Sequence, residues 1–187
     1  MSAWPRIGRF LNVATEVSGL AKMGPIRGHA DTVQSVIRSP LTAVHFVTVL
    51  EEMPVQETLD GLAELHGLAG GGLQLGAVMI NMVRPTALTD EQLTAAARGK
   101  LDSHELGLGL KAAGLDGSLR LNGGLDVATA LTAELGEHAL EVLTQRKHRH
   151  MLSGTGQPCY ELPLITDGMD LAGLYRLAAA LQEQGAA

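Results

Sequence analysis

Asn81 closes the apolar run Leu75-Gly76-Ala77-Val78-Met79-Ile80 and carries both a hydrogen-bond donor and an acceptor. That pair suits the edge of an adenine base, and on chemistry alone it suits a strand-end turn equally well. Two carboxylate pairs, Glu51-Glu52 and Asp167 with Asp170, follow other apolar runs. In isolation such pairs read as helix caps and solvated charge. Their position carries more information, because ligands in parallel α/β sheets bind beyond the carboxyl ends of the strands. Three such ends, 51–54, 81–85 and 166–168, would share one edge of a sheet. Arg84 and Asp167 stand on that edge with Asn81 and complete a set of candidate ligand contacts.

Other motifs fail on context. A phosphate loop follows a strand and opens a helix, so that backbone N–H groups and the helix dipole face the anion. Ala69-Gly70-Gly71-Gly72 follows a helical pattern and opens a strand, and reads as a connector. Gly99-Lys100 is followed by Leu101 where Ser or Thr must bind magnesium, and Thr94 occupies the first glycine position. Ser153, Cys159 and the seven histidines show no nucleophile-elbow sequence. The basic run Arg146-Lys147-His148-Arg149-His150 falls at the end of a helical pattern, where cations meet the negative end of the helix dipole.

The elements that must position these residues follow from periodicity. Arg6 to Lys22 has helical spacing and stops at Gly24-Pro25, and His29 to Arg38 reads as a second short helix. Thr42 to Leu50 is a nearly continuous β-branched run, the habit of a strand buried on both faces. A helix follows from Pro54, with Val55, Leu59, Leu62 and Leu65 or His66 on its inner stripe, and Leu75 to Met82 gives a second strand. Strand, helix and strand at this separation predict a right-handed parallel unit. Thr89-Asp90-Glu91-Gln92 has capping-box spacing, starting a helix toward Arg98. Further helices are expected from Asp102 to Ala113 and from Leu125 to about His150, the latter carried by Leu125, Ala128, Leu131, Leu135, Leu140 and Leu143. Cys159 to Ile165 is a third strand and Asp170 to Gln184 a final amphipathic helix.

Composition bounds the function. Apolar residues make up 45% of the 187 and aromatics only 3%, so one compact, aliphatic core is expected. A net charge of −6 argues against a nucleic-acid surface, which needs Lys and Arg to displace phosphate counterions. A single cysteine excludes an intrachain disulfide and an all-cysteine metal site. No run approaches the ~20 apolar residues of a membrane span, and the first residues lack the apolar core of a secretory signal. A cytoplasmic protein is expected.

At Arg9-Phe10-Leu11, Glu52-Met53-Pro54-Val55-Gln56-Glu57-Thr58, Val78-Met79-Ile80-Asn81 and Leu162-Pro163-Leu164 the chain resembles the ArsA-type ATPases. These include the arsenite-pump and tail-anchored-protein-targeting enzymes, and the resemblance is to the actinobacterial anion-transporting branch over Arg6 to Gly185. It implies an α/β fold, an incomplete parallel sheet of the P-loop NTPase-like (SIMIBI) class with helices on both faces. Residues 6–85 and 158–187 would form the core and 86–157 a mostly helical insertion of one partial domain. It also implies ATP and Mg2+ as the cofactors of the intact family, with Asn81 and Pro163 against adenine. A homodimer, or a heterodimer with a full-length ArsA-type paralogue, would be the partner state, and a peripheral membrane-protein cargo a further partner. The family's Gly-Lys-Gly-Gly-x-Gly-Lys-[Ser/Thr] loop and first-switch Asp have no counterpart here. The chain is therefore read as a C-terminal portion that does not hydrolyse ATP alone. Cys159 by itself supplies neither the family's zinc pair nor its arsenite thiolates. The alternative is a non-catalytic interaction module, or a truncated relic, that docks on a full-length paralogue.

Overall fold

A computed structural model describes residues 25–68, 73–116, 119–120, 126–166 and 168–186. The expected helix at 6–22, the Arg9-Phe10-Leu11 segment and Gly70-Gly71-Gly72 lie outside these residues. The elements in chain order are α1 (Pro25–Ile37), β1 (Ala43–Val49), α2 (Glu52–Leu68), β2 (Gln74–Val83), α3 (Asp90–Ala97), α4 (Ser103–Ala112), α5 (Val127–Ser153), β3 (Cys159–Pro163) and α6 (Leu171–Glu183). The class is α/β. Two compact units form, residues 1–83 with 148–187 and residues 84–147.

The first unit holds a three-stranded parallel sheet in the order β1-β2-β3. On one face, Phe46, Leu50, Val55, Leu62, Leu65, Val78, Ile80 and Leu152 are buried together. This joins β1, β2, α2 and the last turn of α5. Each fully buried Leu or Val contributes roughly 1.5–3 kcal/mol through apolar area removed from water. Of the two candidates for the inner stripe of α2, Leu65 is buried and His66 is exposed. Periodicity could not separate them, because they are adjacent and both lie near the stripe. The opposite face of β1 is open, with Val47 71% exposed.

β2 is not a regular strand. Val44 and Phe46 stand opposite Leu75 and Val78, and Glu161 and Pro163 opposite Ile80 and Val83. One residue on each neighbour, His45 and Leu162, therefore faces two on β2, which places a bulge at 76–77 and another at 81–82. Gly76 makes room for the first. A Cβ there would stand 2.5 Å from Cε1 of His45, whose Nδ1 accepts a hydrogen bond from the Ala77 backbone N–H at 3.0 Å.

In the second unit, α3 opens with the expected capping box. The Thr89 hydroxyl accepts from the Gln92 backbone N–H, and the Gln92 carboxamide accepts from the Thr89 N–H. Leu93, Ala96, Ala139 and Val142 are buried together between α3 and α5. Gly136 permits the close approach, since a Cβ there would lie 3.3 Å from the Ala96 carbonyl oxygen. Here the leucine stripe expected on α5 is displaced. Leu140 is 54% exposed, while Ala139 and Val142 turn inward. Alanine supplies no periodic signal strong enough to outweigh leucine, yet it fits a contact between closely packed backbones.

Candidate functional site

The three parallel strands bring their carboxyl ends to one edge of the first unit. β1 ends at Val49 beside Asn81 of β2, and Val83 lies beside Pro163 of β3. Leu164 continues the ladder by donating its N–H to the Val83 carbonyl at 2.9 Å. Asn81 and Pro163, both expected against adenine from the resemblance, therefore stand at the ends of adjacent strands. They do not share a face in register: Pro163 falls with Val83 and Ile80, whereas Asn81 lies on the bulge between those two.

The bulge has an identifiable cause. Met82 has φ +58°, and among the described residues it is the non-glycine with positive φ. This left-handed conformation costs about 1 kcal/mol or more per L-residue. Asn81 compensates locally, because its Oδ1 accepts the Met82 backbone N–H at 2.9 Å. Asn81 is half-buried, and Met82 is exposed.

Three anchors hold the strand ends. The buried His148 donates from Nδ1 to the Leu50 carbonyl at 3.0 Å, fixing the residue that follows β1 and the tautomer of the ring. Arg149 is ion-paired with Glu161 of β3 and donates one hydrogen bond to it, from Nη2 to Oε2 at 2.8 Å. On the outer edge of β3 the Gln184 side chain acts as a surrogate strand. Its Oε1 accepts from the Glu161 N–H and its Nε2 donates to the Glu161 carbonyl, both at 2.8 Å. This replaces the dipole reading of the basic run. α5 continues to Ser153, and Arg146, His148 and Arg149 each take a specific partner, Asp90 being that of Arg146. Helical spacing alone points these side chains in different directions, and the partners come from segments remote in sequence.

Arg84 belongs to the second unit, where its Nε meets Glu141 Oε2 at 2.7 Å and its backbone N–H donates to Gln145. Asp167 lies outside the described residues. At the end of the Glu52–Thr58 segment, Thr58 is buried and donates its hydroxyl to the Pro54 carbonyl at 2.8 Å, so it is engaged within α2. The carboxylate of Asp170 caps α6 by accepting from the Gly173 N–H.

Sequence reasoning missed the methionines. An exposed methionine lies near the carboxyl end of each strand in sequence: Met53 (66%) after β1, Met82 (54%) within the end of β2 and Met169 (61%) after β3. Thioethers are polarizable and adaptable, and they make favourable contacts with aromatic rings. Their one signal was position, since each lies within a few residues of a strand end. At the amino end of β3, Cys159 has a thiol pushed above its ordinary range by burial and then by the Glu161 charge, so it is a poor nucleophile.

No cluster of three or more His, Cys, Asp or Glu side chains able to hold a metal occurs among the described residues. Asn81 and Pro163 offer no carboxylate to magnesium, and no chemical step is assigned through that ion. No helix among the described residues is long and apolar enough to cross a membrane. A separate cleft of about 930 Å³ lies in the second unit, lined by Ser103, His104, Leu108, Lys111, Arg120 and Asp126 among others.

No protein-family model matches the chain. It is 37% identical over 180 residues to the ATPase BagA of Mycobacterium tuberculosis H37Rv. It has the same identity, over the same length, to a Mycobacterium bovis protein named "Putative ATPase Mb3704". In both cases the alignment covers 96% of this chain and 50% of the relative, so the chain spans about half the length of the curated relatives it matches.

Proposed function

We propose that this chain acts as the C-terminal portion of an ArsA-type ATP-binding and ATP-hydrolysing protein of the P-loop NTPase-like class. It supplies the adenine side of the nucleotide site and part of a dimer contact. The observation that carries this reading is the convergence of Asn81 and Pro163 at the carboxyl ends of adjacent parallel strands, in a chain 37% identical to proteins named ATPases. The exposed methionines at the same edge would contact the base, and the anchored strand ends would hold it without large reorganisation. Phosphate and magnesium would be held by groups outside the described residues, so the hydrolytic step is not assigned to this chain. Because phosphates supply much of the affinity for ATP at such sites, contacts to the base alone give weak binding.

Titration calorimetry with ATP tests the reading, first on this chain and then with a full-length ArsA-type paralogue added. Binding that appears, or strengthens at least tenfold, only in the mixture supports a composite site. Absence of binding in both, in a mixture shown to form a complex, contradicts it. A second reading, a nucleotide-independent docking module, is favoured by Leu108, Leu115, Leu119 and Leu140, which are 54–61% exposed in the second unit. It predicts complex formation with the paralogue that ATP leaves unchanged.

A further inference from the structure

The cleft of the second unit is built by one helix, the turn that closes it and the start of another. α4 ends at Gly114, whose φ of +82° is left-handed. There the Leu115 N–H donates to the Leu110 carbonyl at 2.8 Å and the Gly114 N–H to the Lys111 carbonyl at 3.0 Å. This pair of bonds turns the chain back at a helix end, so Leu115 and Asp116 join α4 in lining the cleft. α4 meets the first turn of α5 at Gly107, where an added Cβ would lie 3.6 Å from that of the buried Ala128. The enclosed space of about 930 Å³ is far larger than an inorganic anion and falls in the range of roughly 300–1,000 Å³ that small organic ligands occupy.

The wall of the cleft has an order. His104, Leu108, Lys111 and Leu115 follow at intervals of four, three and four, the spacing of one face of α4 carried on by its closing turn. Leu108 and Leu115 are exposed. The carboxylates of the lining are engaged. Asp126 accepts from the Thr129 N–H and hydroxyl, and Asp116 and Arg120 have partners of their own. Lys111 differs, because its ammonium makes no hydrogen bond or ion pair with another described residue. A wholly apolar occupant would cover that ammonium without pairing it, at a cost in desolvation. A polyanion would meet Asp116 and Asp126. A ligand with one acidic group on an apolar body avoids both penalties.

We infer that this cleft binds a small amphipathic carboxylate, whose acid pairs with the Lys111 ammonium while its apolar body lies against Leu108 and Leu115. The site lies wholly within the second unit and does not rest on the proposed adenine site.

Titration of the full chain with butanoate, hexanoate, octanoate, octanol and inorganic phosphate at constant ionic strength tests it, followed by ¹H–¹⁵N spectra. Octanoate should give saturable shifts centred on 103–116 and 126–128. Affinity should rise from butanoate to octanoate by up to about fourfold per methylene, the value of a buried CH2. Octanol and phosphate should each bind at least about fivefold more weakly than octanoate, for want of the charged pair or of the apolar body. Lys111→Gln should weaken octanoate by a similar factor, leave octanol unchanged and melt as the parent does, and Lys111→Arg should restore binding. If octanol binds as well as octanoate, the cleft is an apolar docking surface and the inference is wrong. If phosphate or butanoate binds as well as octanoate, the apolar wall takes no part and the inference again fails. Octanoate binding unchanged in Lys111→Gln, or no saturable shift in these residues at millimolar octanoate, would also overturn it.

Discussion

At Gly76 the sheet admits a histidine ring where other residues would carry a Cβ. Gly76→Ala would place its methyl against His45 and drive the ring off the Ala77 N–H, leaving that buried donor unpaired. The expected cost is about 1–2 kcal/mol. His45→Ala loses the same bond and also removes the obstacle. The double substitution should therefore cost about as much as His45→Ala alone, a non-additivity that urea unfolding of the four proteins would measure. Cys159 offers a chemical readout. Burial, with Glu161 behind it, raises its pKa, so alkylation by iodoacetamide at pH 8 should be slower than for an exposed thiol and accelerate only at higher pH. Asp126 carries the opposite shift. The Thr129 backbone N–H and hydroxyl hold its carboxylate below the ordinary range. A depressed folded-state pKa means the stabilisation is present above the unfolded value and lost as pH falls through the folded one. The difference in Tm between the parent and Asp126→Ala should accordingly be full at pH 7 and shrink as the pH falls below about 4. Asn81 was legible as a candidate from its place after an apolar run. Its bond to the Met82 N–H was not, because nothing in the sequence marks Met82 for a left-handed conformation.

Helices and strands were legible where a local signal had no competitor. The capping box at Thr89 placed the start of α3, and Asp102 and Asp170 likewise mark the first turns of α4 and α6. Thr89→Ala should cost about 1 kcal/mol in chemical denaturation, because the Gln92 backbone N–H loses its acceptor. Arg146 to His150 was read as a helix end because the pattern of large apolar residues fades there, yet α5 runs on to Ser153. Its last turns are held by Leu152 in the sheet core and by the Arg149–Glu161 pair, contacts made by β3 residues and by segments far upstream. Leu152 is fully buried, and Leu152→Ala should destabilise the first unit by about 2–5 kcal/mol. β3 stops at Pro163, two residues before its apolar run does. Proline has no N–H for the ladder, so although Leu164 still donates to Val83, regular pairing ends there.

For the molecule as a whole, the α/β class and the order of elements were readable from periodicity, and the parallel sense from the strand–helix–strand separation. Exposure was harder to read. Val47 lies in a run that looks buried on both faces but is open on one, and Leu171, Leu174 and Tyr175 of α6 are 54–69% exposed. A continuous apolar strand predicts cover on both faces without saying which chain or segment provides it. β1 is an edge strand of the described sheet and carries no Asp, Glu, Lys or Arg across Ala43–Val49, the type of edge that invites pairing. Self-association of the isolated chain is expected, seen as an apparent mass that rises with concentration in light scattering. A concentration-independent monomer with a cooperative melt would contradict it. The central claim is that the carboxyl edge of the sheet meets a purine base. Photolabelling with 8-azido-ATP, in the presence of the full-length paralogue proposed above and followed by peptide mapping, tests it most directly. The account predicts ATP-competable label on this chain within peptides spanning 74–85 or 159–169. Label confined to the 86–147 region, or absent from this chain while the paralogue is labelled, would contradict it.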